Sequence, residues 1–269
     1  MQDDGDDPDD GPALLDRFTI FFDFLGSSEA TKWPKARLYP FLDLLIAIAA
    51  QMQTAQHIDG GRQADDSFRF SITPEVTAFS DNIVVSYPWA ADETDVFPDG
   101  SPPMFVAMWT TFMCRDAIRV LSGVAEMALR IGVLIRGGFT FGQLYHENGV
   151  VFGEAMVEAH DLEDTQAVTP RVLVSNRILE RLALDPAADR SFLLQDADGR
   201  WHLNYFARMI DNASDSPMSE ESARAWKSAH FATIDREIAA ASKASIAEKW
   251  TWFKTHFEDA TAHINGDER

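Results

Sequence analysis

The chain has a single cysteine, Cys114, in 269 residues. A disulfide within it is excluded, and a zinc site built on cysteines lacks its thiols. Cations are scarce: 23 Lys and Arg stand against 43 Asp and Glu, a formal net charge of −20. Six of the acids are aspartates in MQDDGDDPDD, yet without them the body still carries −14. Such a charge repels a phosphate backbone, so no nucleic-acid partner is expected. A phosphorylated ligand would need metal ions or a few local cations to shield it. Long apolar runs are also missing. The most apolar stretch, Phe41–Met52, is interrupted by Asp43 and falls short of the ~20 residues of a membrane span. No basic leader with an apolar run opens the sequence. The expectation is a soluble, cytoplasmic protein with no membrane partner. Walker A, GxGxxG, HExxH and GxSxG motifs are absent. The seven histidines are scattered without metal-ligand spacing, and each is read as a surface or structural residue.

What is present is ordinary globular material, 46% hydrophobic and 25% charged, enough for a sizeable core. Residues 1–12 read as a solvated acidic tail. In LLDRFTIFFDFLGSS, Phe18, Ile20, Phe22 and Phe24 share one face and Phe21 lies on the other, the pattern of a central strand covered on both sides. Leu38, Phe41, Leu42, Leu45, Ile48, Ala49 and Met52 recur at helical spacing. Residues 57–69 read as a loop, TPEVTAFSDNIVVSYP as strand material, and 104–130 as a second long helix. GVLIRGGFTFGQLYHENGVVFGEA reads as a hairpin turning at HENG, followed by a helix near 155–167 and the short strand RVLVS. Beyond 176 come a short helix, a hairpin turning at DG, and a helical region whose Trp226, Trp250, Trp252, Phe253 and Phe257 suit core or dimer packing. The fold class expected is α+β, an α/β sandwich of helices on a mixed sheet. It divides into the tail 1–12, a core domain 13–176 and a C-terminal extension 177–269.

Two aspartates stand out. Asp23 ends a run of apolar strand residues before the turn Leu25-Gly26-Ser27-Ser28. Asp81 is read in mid-strand, on the face of Phe79, Ile83 and Val85. A carboxylate in such surroundings is costly unless its charge is compensated. A pair on adjacent strands makes a hard-oxygen site suited to Mg²⁺ or Mn²⁺. The structural alternative is that Asp23 caps the following segment and Asp81 pairs with an Arg.

FFDFLGSS resembles the first metal motif of class III nucleotide cyclases, and AFSDNIVVS their second, with Ser80 in place of a Gly. IGVLIRGGFTFGQLY resembles the next strand, with Gly137 and Gly142 five residues apart, and VVFGEAMVEAHDLE the strand-to-helix segment after it. Order and spacing agree over about residues 14–175. RGG, FG, AHDLE and TPRVLVS are more similar to the pyrimidine cyclases of bacterial anti-phage (Pycsar) systems. The resemblance implies a cyclase-like fold and a homodimer with shared active sites. It implies two Mg²⁺ or Mn²⁺ ions per site on Asp23, Asp81 and the Phe24 carbonyl, and Gly26, Ser27 and Ser28 around the phosphates.

The reaction implied is cyclisation of UTP, favoured over CTP, to the 3′,5′-cyclic nucleotide and pyrophosphate, a signal to a separate effector in anti-phage defence. The positions that recognise purines in the family hold Thr77 and Val150, which cannot act as a Lys/Asp pair; Thr77 can still offer a hydroxyl to a pyrimidine edge. The family's transition-state Asn and Arg correspond to Val157 and Asp161, leaving Arg136, then Arg171, as candidate cations, with structural salt bridges as their other role. A purine cyclase, a non-catalytic nucleotide-binding dimer and a purely structural dimer are the competing readings.

Overall fold

The computed structural model describes residues 13–51, 56–59, 69–72, 74–89, 102–187, 190–211 and 218–265; the acidic tail 1–12 lies outside them. Alternation in LDRFTIFFDFL gives β1 (Leu15–Leu25), buried on both faces. A 3₁₀ segment, Ser27–Lys32, and α1 (Lys35–Gln51) follow. Where a loop was expected over 57–69, a two-stranded pair forms from β2 (Gln56–Asp59) and β3 (Arg69–Ile72); residues 60–68 lie outside the description. Next come β4 (Glu75–Phe79), β5 (Asn82–Pro88) and α2 (Pro103–Arg130). The long β6 (Leu134–Glu147) returns as β7 (Val150–Phe152), turning at Asn148-Gly149 rather than across all of HENG. The helix α3 (Glu154–Asp161) widens into a π-turn, Leu162–Gln166, before β8 (Val172–Val174) and α4 (Asn176–Ala183). The last elements are β9 (Leu193–Gln195), β10 (Trp201–Leu203), α5 (Glu220–Ala240) and α6 (Ala244–Ala260).

The main sheet runs β4-β5-β1-β6-β8-β10-β9, with β7 added to β6. Its pairings are antiparallel except β6 with β8, so the sheet is mixed. The fold is an α+β sandwich. One face carries Phe18, Ile20, Phe22 and Phe24, packed with Phe41 and Ile48 of α1, Trp109 and Met113 of α2, and Ile178 and Leu182 of α4. Trp226, Trp250, Phe253 and Phe257 of α5 and α6 are buried in the same core, so the extension is packed onto it. The opposite face is covered by α3, whose Ala159 meets Phe21 and Val84. That approach needs a glycine beneath it, because a Cβ at Gly138 would strike the Ala159 carbonyl. Among the described residues no helix is long and apolar enough to cross a membrane.

Candidate functional site

The register of three strands assembles the site. Asp23 of β1 lies opposite Asn82 of β5 on one side and Arg136 of β6 on the other. By strand alternation all three point to the α3 face. Asp81 is not in mid-strand as expected. Ser80 and Asp81 form the two-residue turn between β4 and β5, because Phe79 pairs directly with Asn82. Ser80 takes a left-handed φ of 60°, a conformation that glycine would adopt without steric cost. The turn puts Asp81 at the end of the sheet where β1 also finishes. There Gly26, at φ 88°, reverses the chain into the 3₁₀ segment. The Ser27 hydroxyl then lies between two acceptors, the Phe24 carbonyl at 2.5 Å and the Asp81 carboxylate. The side chain of Ser28 lies outside the described residues.

Neither structural alternative for the two acids is what the fold adopts. Asp81 contacts Ser27 and, at 3.3 Å, the Asn82 amide rather than an Arg. Asp23 makes no cap; it accepts from Arg136 Nε at 3.2 Å and Nη2 at 3.4 Å. Arg136 Nη2 also reaches Glu163 of the π-turn at 2.5 Å. Burial pushes the Asp23 carboxyl above its usual range, and the charge of Asp81 pushes the same way; Arg136 opposes both without reversing them. Burial would also raise Asp81, but hydrogen bonds from Ser27, Ser80 and its own backbone outweigh it and hold the group low. Glu163 is pushed up to about 7, first by burial and then by the Asp23 charge.

Asp23, Phe24, Gly26, Ser27, Asp81 and Arg136 therefore gather at one end of the sheet. Arg136 lies beside Asp23 on the neighbouring strand and is paired with it. Arg171 is not brought there. Its guanidinium is buried between Asp196, at 2.6 Å, and Asp198 in the β9–β10 turn, where it holds that turn to the sheet. Thr77 lies on the α3 face farther along β4, and its hydroxyl contacts His146 Nε2 at 2.9 Å. His146 Nδ1 contacts Ser86 at 2.8 Å, and Ser86 accepts from Arg17 Nε at 2.9 Å. The outer part of β6 thus arches with β7 over this face. Val150 and Val157 are both exposed, as are Phe79 and Phe152.

Three residues here escaped sequence reasoning. Glu163 was one acid among several in AHDLEDTQ, and only the π-turn aims it inward. His146 belongs to HENG, which reads as a turn, whereas it lies in β6; its spacing of two from the buried Leu144 is the available signal. Lys249 of α6 had no signal at all. Its ammonium is within electrostatic range of Arg136, Asp23 and Glu163, and burial followed by the Arg136 charge lowers its pKa.

Among the described residues no three His, Cys, Asp or Glu side chains converge as a ready-made metal cage. The oxygens present still fit a hard divalent cation. Phe24 O, Ser27 Oγ and an Asp81 oxygen crowd together with one hydroxyl proton among them, and a second carboxylate, Asp23, stands close enough to feel the charge of Asp81. Compared with known proteins, the chain matches no family model and no curated sequence.

Proposed function

We propose that the protein is a pyrimidine nucleotide cyclase that converts UTP or CTP to the 3′,5′-cyclic nucleotide and pyrophosphate, working as a homodimer. The observation that carries this reading is the convergence of the Asp81 carboxylate and Phe24 carbonyl on Ser27, with Asp23 alongside. Asp23, Asp81 and the Phe24 carbonyl would hold Mg²⁺ or Mn²⁺, which supplies acidity to the ribose 3′-hydroxyl and charge for the triphosphate. The chain's own contribution is placement. Gly26 reverses the backbone so that the start of the 3₁₀ segment, whose first N–H groups have no acceptor within the segment, lies beside the carboxylates. Ser27 orients Asp81 and keeps it ionised. Arg136 and Glu163 fix Asp23. Thr77 meets the base edge, where a Lys/Asp purine reader is absent.

The exposed Val150, Phe152, Val157 and Phe79 around the α3 face support a second copy covering it. The cyclic product would act on a separate effector in anti-phage defence. One observation favours a second reading, a nucleotide-binding dimer without turnover: Arg136 and Arg171 are each already paired with two carboxylates. Incubation with ATP, GTP, CTP and UTP in Mn²⁺, with products identified by mass spectrometry, decides between them. Cyclic UMP or CMP is expected; predominant cyclic AMP or GMP would defeat the pyrimidine reading. Nucleotide binding without product would establish the second.

A further inference from the structure

The contacts around Thr77 have a direction. Arg17 can only donate, and its Nε–H goes to Ser86 Oγ at 2.9 Å. Ser86 is fully buried, so its own proton needs an acceptor inside the protein. His146 Nδ1, at 2.8 Å, is the acceptor that the described hydrogen bonds provide. Nδ1 therefore presents its lone pair. Burial, and then the Arg17 charge, hold the imidazole at a pKa of about 4, so the ring is neutral and its one proton sits on Nε2. Nε2–H donates to Thr77 Oγ1 at 2.9 Å. The reverse polarity would leave the Ser86 proton without an acceptor in a site closed to water, the arrangement that hydrogen-bonded interiors avoid. With its oxygen already accepting, Thr77 has its own proton left to give, and the residue is half-buried and within reach from outside.

We propose that His146 is a positioning residue for base selection: by donating to Thr77 it leaves the Thr77 hydroxyl a hydrogen-bond donor, which selects the O4 carbonyl of uracil over the N4 amino group of cytosine. This rests on the cyclase reading and on Thr77 facing the base. Uracil O4 takes the Thr77 proton, whereas the cytosine amino group can use only the remaining Thr77 lone pair and leaves that proton without an acceptor. A mismatch of this kind at a buried edge corresponds to roughly a ten- to hundredfold loss.

The test measures kcat/KM for UTP and CTP with Mn²⁺ in the wild type, Thr77→Val, His146→Gln and His146→Glu. It is paired with ¹⁵N NMR of the histidine side chains, which reports the tautomer without reference to activity. The wild type should favour UTP by about tenfold or more, with Nε2 protonated and Nδ1 bare. Thr77→Val should erase the preference. His146→Gln should keep it, because the amide oxygen takes the Ser86 proton and the amide N–H replaces Nε2–H. His146→Glu accepts from both neighbours, which turns a Thr77 lone pair outward and moves the ratio toward CTP; the Arg17 charge offsets the buried carboxylate. If that variant does not fold, Thr77→Val and the tautomer decide. An Nδ1–H tautomer, or a UTP/CTP ratio that Thr77→Val leaves unchanged while cyclic product still forms, would overturn the relay and leave the cyclase reading standing. No product and no nucleotide binding with any triphosphate would bring down both.

Discussion

The two faces of β1 do opposite work. On one, Phe18, Ile20, Phe22 and Phe24 are fully buried among aromatic and aliphatic side chains of α1, α2 and α4. On the other, Arg17, Thr19, Phe21 and Asp23 alternate with them, and three of the four are polar or charged. The first face gains stability from apolar area removed from water. The second costs stability, because burying a polar group needs a compensating partner: Arg17 has Ser86 and Asp23 has Arg136, whereas the Thr19 hydroxyl is buried with no partner among the described residues. One strand with period-two alternation thus holds a hydrophobic anchor and a chemical site a few ångströms apart. The rigid anchor keeps the charged residues in register.

The comparison breaks most visibly at the carboxylates. Asp23→Ala and Asp81→Ala should each lower Mn²⁺-dependent cyclisation by about a thousandfold or more, the scale of several kcal/mol of lost charge stabilisation. The circular dichroism spectrum and cooperative unfolding should persist. Retention of most activity by either variant would remove the metal assignment. Next in size is the opposite face. Phe22→Ala should cost about 3–5 kcal/mol of unfolding free energy, the range for a large aromatic removed from a tight core. Denaturant titration checks it, and a loss below about 1 kcal/mol would mean that this face is not the anchor.

How much of this was legible follows from the same physics. The run Phe18–Phe24 announced a doubly covered strand because burial on both faces leaves an unbroken apolar pattern. The hairpin carrying Asp81 was harder to see. EVTAF and NIVVSY read as one alternation with Phe79, Ile83 and Val85 on a shared face, but the two-residue turn pairs Phe79 with Asn82 and leaves Ile83 and Val85 on the other face; Ser80 stands where a glycine would have marked the reversal. Asp23 and Asp81 were still singled out, since an acid amid apolar strand residues is conspicuous wherever the turn falls. Arg171 and Arg136 could not be told apart in sequence. Each is an Arg at a strand entrance, and only the placement of Asp196, Asp198 and Glu163 gives one a structural clamp and the other a place beside Asp23. The C-terminal aromatics were recognisable as packing residues, but the direction in which α6 points Lys249 is a tertiary fact.

A pH series sharpens the contrast between the polar face and the C-terminal region, because each contains a buried histidine whose pKa is pushed down. His146 and His202 are both held near a pKa of about 4, in each case first by burial. The unfolded chain binds these protons near pH 6.5 and the folded chain resists them to about pH 4. The stability they contribute is therefore complete above pH 6.5 and is lost as pH falls toward 4. The slope approaches about 1.4 kcal/mol per pH unit for each group between those limits. His146→Gln and His202→Gln should each flatten the curve in that window, by comparable amounts and additively, since the two groups share no partner. An unchanged slope in either variant would mean that its histidine titrates normally in the folded protein.

The smallest effect tests whether the C-terminal extension takes part in the site or only covers the core. Trp252 of α6 donates to Asp196 at 3.0 Å, Asp196 holds Arg171 at 2.6 Å, and the Arg171 carbonyl accepts from Gly137 N–H at 3.0 Å, next to Arg136. This chain of contacts seats α6 beside the start of β6 and brings Lys249, one turn before Trp252, into the field of Asp23, Arg136 and Glu163. A half-buried ammonium there makes no close ion pair among those described, so Lys249→Met should change stability by less than about 1 kcal/mol. Its charge is nonetheless of the sign that a triphosphate needs in a chain of net charge −20. Substitution should raise the KM for the nucleotide several-fold, with a smaller change in kcat, and Lys249→Arg should restore it because the positive charge is kept. An unchanged KM would confine α6 to packing, and a collapse of stability without a kinetic change would do the same.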